Sequence, residues 1–439
     1  MDDLLAARLQ MAFTLGFHII FASIGIAMPF LMAASHRIFL KRGSDLHLRL
    51  TKAWSKGVAI FFAVGAVSGT ALSFELGLLW PEFMKYAGPI IGMPFSWEGA
   101  AFFLEAIALG IYLYGWGRVP PKIHWWTGIV VGLSGVASAF FVICANSWMN
   151  NPSGFDWNEG SPINIDPWAA MFNEGAFLQG LHMVLAAFEA VGFGVAGLHA
   201  LLYLRTKHDL HREALKISFV IGAVAAIAQP IVGDFTAKMT AQRQPLKLAA
   251  MEGLFETQRG APLVIGGLPS QTERRVDYAI EIPKFLSFLA YGDFNAEVKG
   301  LLDFPEDEWP PVLIVHLAFQ IMVGIGMLLA ALGALGLLFL WRAPAAFLSK
   351  TFQSALILCT PLGFIAIEAG WCVTEVGRQP WIIYGLLKTS EAVTPRPGVL
   401  FTLITYAVLY TFLWLIVIFL MKRQVDLLHS DLNIRERPK

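Results

Sequence analysis

The chain has 439 residues, 56% of them hydrophobic and only 15% charged, and its 32 basic side chains balance its 32 acidic ones. A neutral chain gives no electrostatic footprint for nucleic acid, and a mean hydropathy of +0.61 overrides the two or three soluble domains that length alone suggests. Apolar runs of 18 or more residues recur, each enough to cross a hydrocarbon core about 30 Å thick; being continuous rather than alternating, they exclude a β-barrel and define an all-α, polytopic membrane bundle.

In chain order the runs predict nine spans, at 10–34, 57–80, 97–117, 124–147, 176–204, 216–235, 310–341, 352–376 and 399–421. The first lacks a basic start and runs past signal-peptide length, so it is read as a true span. Lys and Arg collect in the 35–56 connection (Arg37, Lys41, Arg42, Arg49, Lys52, Lys56), in 205–216 (Arg205, Lys207, Arg212, Lys216) and in the tail (Lys422, Arg423, Arg435, Arg437, Lys439). The 148–175 connection holds four acids and neither Lys nor Arg. Basic loops face the cytoplasm, so the amino terminus is expected outside and the carboxyl terminus in the cytoplasm. The organisation is then 1–235 with six spans, an outer loop at 236–309, and 310–439 with three spans and the tail. A loop this long is functional or disordered; this one carries Lys247 and Glu252 in a short stretch of helical character, then Pro262 and Gly266-Gly267.

Cys144, Cys359 and Cys372 lie in or at the edge of apolar runs and read as packing residues. With no CxxC and no CxxCH, covalent c-type haem and cysteine-held iron–sulfur clusters are not expected. No His-His pair or His cluster on one span is present to hold copper beside a haem, and no phosphate loop follows a strand.

Ionisable residues at hydrocarbon depth default to a functional reading. His18, His182, His199 and His316 fall inside apolar runs. His36, His47, His208, His211 and His429 are read as solvated loop or tail residues, and His124 as an interfacial tip. Met322 lies one and a half turns below His316; a thioether serves either as core filler or as an axial haem ligand. Glu98 and Glu105, seven residues apart, share a helical face with a rise of about 10 Å. Two stacked acids in a membrane suit a proton relay, which Ser138 and Asn146 on the fourth span are placed to join. Glu75, Glu189 and Glu368 are further intramembrane acids. The eighth span ends in Glu375-Val376-Gly377-Arg378-Gln379-Pro380-Trp381, which puts a carboxylate and an Arg on one face, a pairing that suits a cofactor carrying its own charges.

That motif, with Gly370-Trp371 before it, resembles subunit I of the bacterial cytochrome bd-type quinol oxidases. Arg8-Leu9-Gln10, Gly77 to Trp80, the Glu98/Glu105 segment, Ala145-Asn146-Ser147-Trp148-Met149 and Gln244-Pro245 with Lys247 and Glu252 extend the resemblance over nearly the whole chain. It implies an enzyme that oxidises quinol, with ubiquinol as the expected donor, and reduces O2 to water without pumping. It implies that His182 and Met322 ligate a low-spin haem b, that His18 holds one of two high-spin haems, usually haem d, and that Glu375 holds the other, a haem b, with Trp371 one turn away. Arg378 would balance haem carboxylates, Arg8 goes with the cofactor set, Glu98 and Glu105 line the proton route, and Lys247 and Glu252 bind quinol in the outer "Q loop". A second large membrane subunit and a small single-span one are implied partners, and the bacterial inner membrane is the implied location. The loop is of the short type, Gln320 takes the place of an Arg common near the low-spin haem, and the Glu98–Glu105 spacing is one residue shorter than usual. These departures point to the cyanide-insensitive branch, in which a b-type haem replaces haem d in some members. The competing readings are a proton-coupled secondary transporter and a diheme b-type quinol dehydrogenase subunit.

Overall fold

The computed structural model describes residues 2–158 and 160–432; Glu159 and the tail residues Arg435, Arg437 and Lys439 used for the orientation lie outside the described residues. The helices are α1 (Asp3–Arg42), α2 (Asp45–Leu79), α3 (Pro81–Tyr114), α4 (Pro121–Asn150), α5 (Pro167–Met171), α6 (Ala176–Thr206), α7 (Asp209–Arg243), α8 (Pro245–Glu252), α9 (Phe285–Tyr291), α10 (Val312–Arg342), α11 (Pro344–Phe347), α12 (Lys350–Cys359), α13 (Leu362–Val376), α14 (Thr389–Ala392) and α15 (Val399–Asp431). Among the described residues nine helical segments are long and apolar enough to span a membrane, with α12 and α13 counted together.

Most spans run past their apolar windows because their caps lie beyond the hydrocarbon, whereas α10 keeps close to the expected 310–341. α1 begins where the Asp2 side chain accepts from Leu5 N and ends at Gly43 in the left-handed region (φ 63), the conformation glycine adopts without steric cost. The third span, expected from 97, starts at Pro81 and runs through Pro89 and Pro94; neighbouring helices make such prolines tolerable in membranes. The eighth span, expected as one helix, is broken between Cys359 and Leu362, at Thr360-Pro361, because Pro cannot donate to the helical ladder. α6 and α7 touch at Gly192 and Gly222, where an added Cβ would sit 2.3 Å from the opposing Cα. Such close approach lets helix backbones pack where lipid offers no hydrophobic drive between them.

The outer loop is structured, not irregular. α7 runs on to Arg243, so the connection begins at Gln244, and α8 confirms the short helix expected there. Beyond it come β1 (Gln258–Arg259), β2 (Leu263–Ile265), β3 (Leu268–Ser270), β4 (Arg275–Asp277), β5 (Ile280–Ile282) and β6 (Glu297–Val298), paired antiparallel as β1–β6, β2–β5 and β3–β4. Leu246, Ala249, Ala250 and Met251 of α8 pack with Val312 and Val315 of α10 and Ala369 and Val373 of α13. At about 1.5–3 kcal/mol for each large apolar side chain fully buried, that contact fastens the loop to the bundle.

The histidine reading needs correction. His36, His47, His124 and His211 are buried, not solvated or interfacial. His36 Nδ1 lies 2.9 Å from Tyr112 Oη and His124 Nε2 lies 2.8 Å from Tyr112 O. His211 sits between His199 and His429, 3.0 Å from each. The helices stay packed past the apolar windows, so polar rings there find partners inside the protein. All three cysteines are free, though Cys372 is exposed rather than packed.

Candidate functional site

The end of the bundle that carries the amino terminus gathers one polar network. Arg378, just past α13, is 2% exposed and its Nη2 donates to Glu375 Oε2 at 2.6 Å. Glu375 Oε1 accepts from Asn146 Nδ2 at 2.5 Å. One turn along α4, Asn150 Nδ2 donates to Asn146 O at 3.0 Å, while Asn150 Oδ1 accepts from Lys247 Nζ at 2.7 Å. Gln244 Nε2 donates to Asn150 O at 2.8 Å. Gly377 lets these parts approach: a Cβ there would lie 2.2 Å from Val373 O and 3.3 Å from Lys247 Cγ. Lys247 and the Glu375–Arg378 pair, 127 or more residues apart in sequence, thus form one assembly. Burial pushes Lys247 down to about 7, with Arg378 adding to the effect and Glu375 opposing it. Glu252 is 3% exposed with Oε2 unpartnered, and burial pushes it up to about 8.

The proposed ligand positions fit iron porphyrins. Arg378 Nε and Nη1 are buried without partners, a costly state for a guanidinium that anionic propionates would relieve. Glu375 is 28% exposed, and two of a carboxylate's four acceptor sites remain open. His18 Nδ1 lies 2.9 Å from Ser68 Oγ, whose own proton goes to Val64 O. The ring therefore donates through Nδ1 and keeps a lone pair on Nε2, the arrangement that orients ligating imidazoles. Gly69 makes room, since a Cβ would sit 3.0 Å from His18 Cε1. His182 on α6 keeps Nδ1 buried and unpartnered, beside Gln229 and Gly233 of α7. Met322 on α10 points its sulfur at Gly370 of α13, where a Cβ would come within 3.0 Å. α6 and α10 both pack along α7 and α13, so His182 and Met322 project from two different helices that share the same neighbours. Among the described residues no three His, Cys, Asp or Glu side chains gather as a bare metal site. His316 is different: Nδ1 is 2.8 Å from Met251 O and Nε2 is 3.0 Å from Gly266 O, which leaves no nitrogen open to a cofactor.

Glu98 accepts from Ser138 Oγ at 3.1 Å. The deeper Glu105 is buried between Gly25 of α1 and Gly135 of α4. Asn146, expected beside these acids, joins Glu375 instead. Trp371 is half-buried against Ile19, Ala190 and Ile367. Arg8 is exposed, and the buried polar group of its motif is Gln10, which donates to Glu75 Oε1 at 3.0 Å and accepts from Thr402 at 2.7 Å. Sequence reasoning passed over Asn150, Ser68 and Gln229. Asn150 had a signal, its i, i+4 spacing from Asn146; Ser68 and Gln229 had none, since each meets its histidine across two helices.

Membrane-length helices carrying partly buried imidazole, thioether and carboxylate groups, beside a buried guanidinium with unfilled donors, suit a membrane-embedded redox protein of the haem-binding kind. The sequence model of the family described as cytochrome bd terminal oxidase subunit I matches residues 6–427, and the chain belongs to that family. It is 39% identical, over 99% of its own length and 100% of the relative's, to a Bacillus subtilis (strain 168) protein provisionally named as a cytochrome bd menaquinol oxidase subunit I. It is 32% identical to that organism's cytochrome bd ubiquinol oxidase subunit 1, over 97% of this chain and 94% of the relative. The solved bd oxidase structure from Geobacillus thermodenitrificans superposes with a TM-score of 0.91 at 38% identity, covering 97% of this chain and 98% of that one. The protein is thus a haem-containing subunit of a respiratory terminal oxidase, a quinol:oxygen oxidoreductase; the transporter and quinol dehydrogenase readings are not favoured.

Proposed function

We propose that this chain oxidises quinol at α8, on the outer side of the bacterial inner membrane, and delivers the electrons to three haem positions at the same end of the bundle. His182 and Met322 would hold a low-spin haem b, His18 a haem d or a b-type haem in its place, and Glu375 a high-spin haem b. These groups supply one-electron transfer and oxygen binding when bound. Lys247 and Glu252 bind the quinol headgroup, and Glu252, in its ionised form, takes a quinol proton toward the outside. Arg378 holds propionate charge and orients Glu375. Glu98 and Glu105 pass protons inward from the cytoplasmic side to the oxygen site. Because quinol protons leave on one side and oxygen-bound protons enter from the other, each charge separated across 100 mV stores about 2.3 kcal/mol without pumping. A second large membrane subunit, and a small single-span one, complete the enzyme. Relatives named for menaquinol and for ubiquinol both match, and the proposed contacts suit a quinol headgroup of either kind.

The observation that carries this reading is the chain Lys247–Asn150–Asn146–Glu375–Arg378, which ties the loop to a carboxylate–guanidinium pair with unfilled donors. Pyridine haemochrome analysis of the purified complex tests it by giving haem type and number. Departures in the loop and at Gln320 support the cyanide-insensitive branch, which oxygen uptake under cyanide checks directly.

A further inference from the structure

α8 has eight residues, too few for an isolated helix to hold together in water. It is held from outside at both ends. At its start, Asn150 of α4 accepts from Gln244 Nε2 at 2.8 Å and from Lys247 Nζ at 2.7 Å. At its end, His316 of α10 lies 2.8 Å from the carbonyl of Met251, the residue before Glu252. Its Nε2 faces Gly266 O at 3.0 Å; a neutral imidazole carries one N–H and donates to one of these two carbonyls at a time. One turn on, Gln320 Nε2 donates to Val264 O and Gln320 Oε1 accepts from Gly266 N, both at 3.0 Å, as a paired strand would. The chain leaves α8 through Gly253 in the left-handed region (φ +66), where a Cβ would lie 3.5 Å from His316 Nδ1. His316 is fully buried, so these bonds form away from competing water.

We infer that Asn150 and His316 are positioning residues for quinol oxidation, clamping the two ends of α8 so that Lys247 and Glu252 are held at a fixed separation. The inference rests on the reading that these two side chains bind quinol. It gives Gln320 a task in this chain, bracing the strand against which His316 is held, that involves no charge.

The test uses the intact oxidase with short-chain quinol as substrate, comparing His316→Phe, His316→Gln and Asn150→Leu with Lys247→Met and Glu252→Gln. Loss of one or two hydrogen bonds should raise the quinol KM of His316→Phe and Asn150→Leu roughly three- to tenfold. kcat and the reduced-minus-oxidised spectrum should stay unchanged, and His316→Gln, which keeps a donor, should recover most of the effect. If His316→Phe does not assemble, Asn150→Leu carries the same comparison from the other end. An unchanged KM in the clamp variants, with a raised KM in Lys247→Met, overturns the clamp and leaves the quinol site intact. An unchanged KM in both Lys247→Met and Glu252→Gln overturns the quinol reading itself, and the clamp with it.

Discussion

Arg378 and Glu375 form an ion pair at 2.6 Å, one helical turn apart, in which the guanidinium is almost wholly buried and the carboxylate is open on one side. Removing one partner of a buried pair leaves an uncompensated charge, at about 3–5 kcal/mol. Arg378→Gln should therefore lower haem content and thermal stability together. Arg378→Lys should rescue only part, since a point charge replaces a planar fork. Haem-to-protein ratio and a melting curve measure both; wild-type values in Arg378→Gln would count against the pair's role.

Met322, not His316, would hold the low-spin haem together with His182, because both His316 nitrogens face carbonyl oxygens. Met322→Leu is volume-conserving and should cost less than about 1.5 kcal/mol of stability, yet abolish the low-spin signature. His316→Gln should leave that signature in place. Reduced-minus-oxidised spectra decide between them.

Quinol oxidation should carry an alkaline-rising limb. Glu252, held up at about 8 by burial, is neutral below that pH and accepts a proton only above it. kcat/KM for quinol should thus rise through about pH 8 and level off beyond. Lys247, at about 7, donates to Asn150 whether or not it carries the extra proton, so that contact persists across the range. Glu252→Gln should flatten the limb; a profile that keeps it assigns the proton to another group.

Glu105→Gln should slow oxygen reduction by roughly 10²-fold or more, the usual share of a positioned proton donor, while reduction of the haems by quinol proceeds at the wild-type rate. Stopped-flow measurement of the two half-reactions separates them. Equal slowing of both would remove Glu105 from the oxygen-side proton route.

The sequence revealed the bundle because membrane spans announce themselves through long apolar windows. The Glu375–Arg378 pairing was legible from spacing alone, as was α8 within the loop. Helix ends were not, since starts such as Asp2 for α1 and Pro81 for α3 lie outside the apolar windows. The buried state of His36 and His211 was hidden for the same reason: packing continues after hydropathy fades. The link from Lys247 to Glu375 depends on Asn150 lying between two distant segments, and no local pattern encodes that proximity. Within the Arg8-Leu9-Gln10 motif, Arg8 is exposed while Gln10 is turned inward to Glu75 and Thr402, an orientation that no local pattern encodes.

The most direct measurement is haem stoichiometry by pyridine haemochrome on the assembled oxidase, paired with the spectrum of Met322→Leu. The account predicts one low-spin and two high-spin haems per copy of this chain, with only the low-spin component lost in the variant. A complex with fewer haems, or a Met322→Leu spectrum identical to wild type, would contradict it.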